Sequence, residues 1–167
     1  MVRIAVFGNS GSGKSTYARQ AAEALGLAHL DLDTLAWDAA APNPTRLPLE
    51  TSARRIRQFM ARYPAWVIEG CYGDLLQVAL SRATKAVFLN PGLAVCQANA
   101  RARPWEPHKY PTPEAQAENL AMLLGWIGQY ESRQDEFSLA AHRRLYQAFS
   151  GEKVEYTSND WLGEPNA

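Results

Sequence analysis

A chain of 167 residues, 47% of them hydrophobic, has the size of one compact domain with a sizeable core. Seventeen basic residues balance seventeen acidic ones, which excludes a global field drawing the chain onto nucleic acid or an anionic membrane. No apolar run approaches the roughly 18 residues of a membrane span, and no charged leader precedes the first apolar run, so a cytoplasmic protein without a membrane partner is expected. Cys71 and Cys96 read as small buried hydrophobes in a reducing compartment rather than as a disulfide.

Val2 to Phe7 is a short β-branched apolar run closed by Gly8, the pattern of a buried strand. From Gly13 the period turns helical, with Tyr17, Ala21, Ala24 and Leu25 on one face and Gly26 as C-cap. His29 to Leu32 is a second strand; Pro42, Asn43, Pro44 and Pro48 mark a loop before a helix from about Leu49 to Arg62. Ala65 to Ile68, Ala86 to Leu89 and Lys153 to Tyr156 complete five candidate strands. Between the last two lie a helix near Leu93 to Ala102, a proline-rich stretch from Pro104 to Pro113, and helices near Glu114 to Glu131 and Glu136 to Phe149. The apolar positions Leu120, Leu123, Leu124, Ile127, Leu139 and Leu145 of these helices read as core. Strands alternating with helices predict right-handed parallel βαβ units, hence a doubly wound α/β three-layer sandwich with its ligand site beyond the strands' carboxyl ends.

The run Gly8-Asn9-Ser10-Gly11-Ser12-Gly13-Lys14-Ser15-Thr16 satisfies GxxxxGK[ST] between a predicted strand and a predicted helix, the context this motif requires. Its glycines let successive N–H groups turn toward a phosphate, and the following helix adds the positive end of its dipole. Lys14 is expected on the β and γ phosphates, with the Ser15 hydroxyl on Mg²⁺. Asp31 and Asp33, spaced i and i+2 at the end of the second strand, point from one face toward that loop. One would serve Mg²⁺ and the other a substrate hydroxyl, the alternative being a turn cap. Glu69 closes the apolar run Trp66-Val67-Ile68-Glu69-Gly70 in the form of a Walker B acid on Mg²⁺, or else caps the turn.

These segments, with Trp37, Cys71-Tyr72, Phe88-Leu89-Asn90-Pro91, Pro104-Trp105-Glu106-Pro107 and Ser138 to Arg143, resemble the adenylate kinase and shikimate kinase branch of P-loop proteins. The resemblance spans most of the chain and is strongest to the bacterial DNA topology modulation protein, or adenylate-kinase-like P-loop ATPase, group. It implies a five-stranded parallel sheet in the order 2-3-1-4-5, a helical acceptor-binding region around residues 34 to 62 and a lid near residues 100 to 113. It also implies that Asp31 serves Mg²⁺ while Asp33 holds the acceptor. Chains of the group it resembles usually carry an acid where Asn90 stands and a pair of arginines where Asn99 and Arg103 stand, and often Asp in place of Glu69.

Arg101 and Arg103, at the entrance to the lid, are candidates to meet transferring phosphate; helix-end solvation is the alternative. Arg54, Arg55, Arg57 and Arg62 make one helix basic, and Arg57 or Arg54 could meet an anionic acceptor, or the run is a solvated face. Trp37 and Tyr72 follow strand ends and line the acceptor pocket or pack into the core. His29, His108 and His142 lack metal-ligand spacing and read as structural or exposed. A Mg²⁺-dependent kinase transferring the γ-phosphoryl of ATP to a small molecule or nucleotide is the leading expectation. The alternative is a nucleotide-binding regulator or slow ATPase acting on a partner such as DNA, against which the neutral charge and lack of a nucleic-acid motif count. An NKxD-type guanine-reading motif is absent, so ATP is the expected donor, and a chain this short leaves little room for a motor.

Overall fold

Short apolar runs cannot bury both faces alone, and in the computed structural model, which describes residues 1–162, they pair into one five-stranded parallel sheet. The strands are β1 (Arg3–Gly8), β2 (Ala28–Asp31), β3 (Trp66–Gly70), β4 (Lys85–Leu89) and β5 (Glu152–Tyr156), in the order β2-β3-β1-β4-β5. The helices are α1 (Lys14–Leu25), α2 (Asp33–Ala36), α3 (Leu49–Arg62), α4 (Gly73–Leu80), α5 (Leu93–Ala102), α6 (Pro113–Gly128) and α7 (Leu139–Ala148). This is the α/β P-loop sheet with the expected order. Because β1 lies between β3 and β4, the loop that follows it emerges at the middle of the sheet's carboxyl edge.

The two-residue period of the strands sorts their side chains into two cores. Phe7, Trp66, Ile68, Ala86 and Phe88 face Ile56 of α3, Leu75, Leu76 and Ala79 of α4, and Leu139 and Leu145 of α7. Ile4, Val6, Val67, Val87 and Leu89 face Tyr17, Ala18 and Ala21 of α1 and Trp161 near the chain's end. A smaller cluster joins Cys96 and Ala100 of α5 to Leu120, Leu123, Leu124 and Ile127 of α6. Cys71 and Cys96 are unbridged.

Several boundaries move. Helix α4, for which the sequence offers only eight residues opening on Gly73-Asp74, fills the crossover between β3 and β4 without having been anticipated. On α1 the inward face is Tyr17, Ala18 and Ala21, while Ala24 and Leu25 turn to solvent; Gly26 is the left-handed C-cap at φ 65°. Helix α7 starts at Leu139 rather than Glu136, because the Ser138 hydroxyl accepts the Ala141 N–H at 3.0 Å and stops the helix there.

His142 of α7 is fully buried and links three elements. Its Nε2 donates to the Cys71 carbonyl at 2.8 Å, which leaves Nδ1 to accept the Tyr130 hydroxyl at 2.7 Å; the Phe7 and Phe88 rings stand edge-on to it. The imidazole is therefore neutral, and burial pushes it down to about 4. An unfolded histidine titrates near ~6.5, so between those values the unfolded chain holds the extra proton. The stability this gives is complete above about pH 6.5 and is lost as pH falls toward about 4. Urea midpoints measured across that window should fall more steeply for the natural chain than for His142→Asn.

Candidate active site

The phosphate loop leaves β1 where two backbones come close. A Cβ on Gly8 would stand 2.2 Å from the Leu89 carbonyl oxygen, and one on Gly11, at φ 76°, 2.3 Å from the Cys96 carbonyl oxygen. Side chains are excluded at both positions, so the loop hugs β4 and the start of α5. Gly13, at φ 100°, turns the chain into α1 against the Trp161 ring. The loop is buckled from behind by two asparagines. Asn99 Nδ2 donates to the Gly11 carbonyl at 2.8 Å and to Asn159 Oδ1 at 3.0 Å, and Asn159 Nδ2 donates to the Ser12 carbonyl at 3.2 Å. Asn99 thus holds the loop from behind. Asn90 donates to Glu155, which pairs with Arg143, and so belongs to the β4–β5 edge.

Lys14 Nζ lies across the loop, donating to the Asn9 carbonyl at 2.7 Å. The Ser15 hydroxyl donates to Glu69 Oε1 at 2.8 Å, and His29 Nε2 lies 3.5 Å from the same oxygen. Glu69 is buried within β3, in register with Val6 of β1 and Asp31 of β2. Burial, with Glu69 and Asp33 close by, raises Asp31 to about 6. Two carboxylates and a hydroxyl beside a phosphate cradle fit Mg²⁺, a hard cation that completes its shell with water and phosphate oxygens. Among the described residues no group of three or more His, Cys, Asp or Glu makes a metal site by itself.

Asp33 differs from its expected placement. Strand β2 ends at Asp31, Leu32 turns into helical geometry, and Asp33 opens α2, so the two acids do not project from one strand face. Instead Asp31 Oδ1 accepts the Asp33 N–H at 2.9 Å, making Asp31 both a turn cap and a site acid. The Tyr72 hydroxyl donates to Asp33 Oδ1 in a short hydrogen bond and accepts Trp37 Nε1–H at 2.8 Å, so all three come together. The outer oxygen, Oδ2, meets Lys109 Nζ at 3.1 Å. Burial would raise Asp33, but Lys109 and the Tyr72 hydroxyl outweigh it and hold the carboxyl below its usual range.

Lys109 was not singled out from sequence, where a lone lysine between prolines carries no periodic signal. It stands on a turn closed by Lys109 and Tyr110 N–H groups on the Glu106 carbonyl. Arg103 lies 3.8 Å from Glu106, and with Arg101 lines a cavity of about 230 Å³ under the 103–112 segment that also takes in Trp105, Tyr110 and Gln116. Arg57 is placed elsewhere: its guanidinium forms an exposed ion pair with Glu50 at 2.8 Å on the outer face of α3, the solvated alternative. The polar face of α3 turns outward because Ser52, Ala53 and Ile56 are the residues it buries.

Residues 4–113 match the family described as AAA domain. Among curated proteins, none matches the chain. One similar solved structure is an unliganded sugar kinase from Janibacter sp. HTCC2649, at 16% identity and TM-score 0.48, covering 93% of this chain and 85% of that one. Another is an uncharacterized protein from Eubacterium ventriosum ATCC 27560, at 17% identity and TM-score 0.46, covering 93% and 88%.

Two substitutions test this geometry. Gly11→Ala should destabilise the chain by about 1–3 kcal/mol in urea unfolding, through a left-handed alanine and a Cβ driven into a carbonyl. Tyr72→Phe and Lys109→Met should each raise the Asp33 carboxyl pKa, followed by carbon NMR; Lys109→Met should shift it further, since the charge contributes more than the hydroxyl.

Proposed function

The chain belongs to the AAA domain family, and on that premise we propose that it is a Mg²⁺-dependent kinase of the adenylate kinase-like branch, transferring the γ-phosphoryl of ATP to a small hydroxyl or phosphate acceptor. The DNA topology modulation protein group is the branch its motifs resemble. The whole chain forms one kinase domain, with residues 34–62 as acceptor region and residues 100–113 as lid. The observation that carries this reading is Asp33: a carboxylate beyond those the metal needs, kept ionised beside the phosphate loop by a lysine from the lid segment.

In this reading the N–H groups of residues 8 to 16 and the end of α1 hold the triphosphate, and Lys14 swings from the Asn9 carbonyl onto the β and γ phosphates. Ser15, Asp31 and Glu69 would hold Mg²⁺, which when bound draws charge from the phosphate oxygens. Asp33 accepts the hydrogen bond of the acceptor hydroxyl and orients its lone pair along the line of attack. Trp37 and Tyr72 form the wall that seats the acceptor, with Tyr72 fixing the rotamer of Asp33. Arg103, with Arg101 behind it, supplies positive charge as the lid segment closes, where a loose transition state spreads charge over the γ oxygens.

The test is ADP formation with Mg-ATP alone and with pooled nucleotides, nucleosides, sugars and hydroxy acids, with mass spectrometry of the product. Acceptor-dependent turnover should fall about 100-fold or more in Lys14→Ala. Asp33→Asn should cut acceptor kcat/KM about 100-fold or more while leaving ATP affinity within about twofold. ATP binding with no acceptor-stimulated turnover across the pool would shift the reading to a nucleotide-binding regulator or slow ATPase.

A further inference from the structure

Asp33 has one oxygen turned inward and one outward. Oδ1 is held by the Tyr72 hydroxyl, itself braced by Trp37 Nε1, so a hydroxyl arriving from solvent meets Oδ2. That oxygen is the one Lys109 touches. A donor on Asp33 Oδ2 therefore places its neighbouring substituents against an ammonium.

The 103–112 segment does not depend on this ion pair for its own shape. Gln116 Oε1 accepts the Glu106 N–H at 2.8 Å, Gln116 Nε2 donates to the Pro104 carbonyl at 3.1 Å, Asn119 Nδ2 donates to the Tyr110 hydroxyl at 2.7 Å, and Trp105 Nε1 donates to the Tyr110 carbonyl at 3.0 Å. The segment is clipped to α6 and to itself, and Lys109 reaches out of it across to α2. Within the segment, Arg103 and Lys109 share one acid, Glu106, at 3.8 Å each. Arg46, on the far side of Tyr72, is already matched by Asp74 at 3.2 Å and lies over the Tyr72 ring at 4.9 Å. Lys109 is thus the cation beside Asp33 whose remaining partner is more distant, and an ammonium engaged by a ligand's anion gains a charge-assisted bond that a neutral ligand cannot give.

We propose that Lys109 is a specificity-determining residue of the acceptor site, selecting a hydroxyl compound that also carries a carboxylate or phosphate, the hydroxyl on Asp33 and the anion on Lys109. This rests on the kinase reading above for the identity of the site as an acceptor site. The selection comes from sharing: a neutral polyol offers nothing to the ammonium and meets Asp33 still paired with it. An anionic one satisfies both charges at once and ties the lid segment to the ligand. On transfer, the acceptor oxygen bonds to the γ phosphorus, the bond from that phosphorus to the bridging oxygen breaks with its electrons going to ADP, and the hydroxyl proton passes to Asp33 or water.

The experiment uses the whole chain with Mg-ADP saturating the phosphate loop, and measures binding of matched probes: glycerol against D-glycerate and glycerol 3-phosphate, glucose against gluconate and glucose 6-phosphate. At least one anionic probe should bind about tenfold or more tightly than its neutral parent. Lys109→Met should abolish that preference, and Lys109→Arg should retain it. Carboxylate and phosphate members separate the two anion sources. Equal affinity of neutral and anionic members, no binding by any member, or a preference that survives Lys109→Met would each overturn the proposal. A merely structural lysine would weaken all probes alike, which also overturns it. Turnover assayed in parallel keeps the two readings apart: absence of ADP formation with every acceptor counts against the kinase, whereas acceptor turnover without anion preference counts against Lys109 as selector.

Discussion

Everything at the carboxyl edge of the sheet depends on how near two backbones can approach. β1 runs between β3 and β4, and its exit loop must pass the carbonyls of Leu89 and Cys96 at distances that leave no room for a Cβ. Glycine at positions 8 and 11 satisfies that constraint, and the rest follows from it. The loop stays low over the sheet, α1 starts directly beneath it, and Ser15 comes within hydrogen-bonding range of an acid on the neighbouring strand. A bulkier loop would lift Lys14 and Ser15 away from Asp31, Asp33 and Glu69, and three acids would then face one another with less to balance them.

Those acids sit in graded environments. Asp31 and Glu69 are held in register on adjacent strands, and burial beside the Glu69 and Asp33 carboxyls raises Asp31. Asp33 is kept charged by a lysine and a tyrosine that come from opposite sides. The three acids thus differ in their surroundings: Asp31 is raised by burial beside two other carboxyls, whereas Asp33 carries its own counter-ion. Environment separates their roles more than residue type does.

The sheet was legible because its evidence is local and repeated. Each strand announces itself by a short run bounded by turn residues, and the phosphate loop by glycines at fixed offsets between strand and helix. Helix α4 was missed for the converse reason: eight residues opening on Gly73 read as a turn, and only the packing of Leu75, Leu76 and Ala79 against the sheet makes them a helix. At the candidate site, Lys14, Ser15, Asp31, Asp33 and Glu69 were singled out from the glycine motif and from strand ends. Lys109 was not, since its pairing with Asp33 joins positions 76 residues apart in sequence through a proline-bounded turn that has no periodicity. Arg57 misled in the opposite sense: its charge is conspicuous in a linear string, yet the helix that carries it turns that face outward.

The two asparagines and Trp161 behind the phosphate loop link distant parts of the chain. Residues 8 to 16 are synthesised about 150 residues before their brace: Asn159 donates to the Ser12 carbonyl, and Trp161 packs against Gly13 and Tyr17. A nascent chain carrying β1 and its loop has the motif but not its brace. Formation of the phosphate cradle is thereby tied to the arrival of β5 and the turn beyond it, so a ribosome-bound or prematurely ended chain would display the glycine signature without the geometry that makes it a binding site.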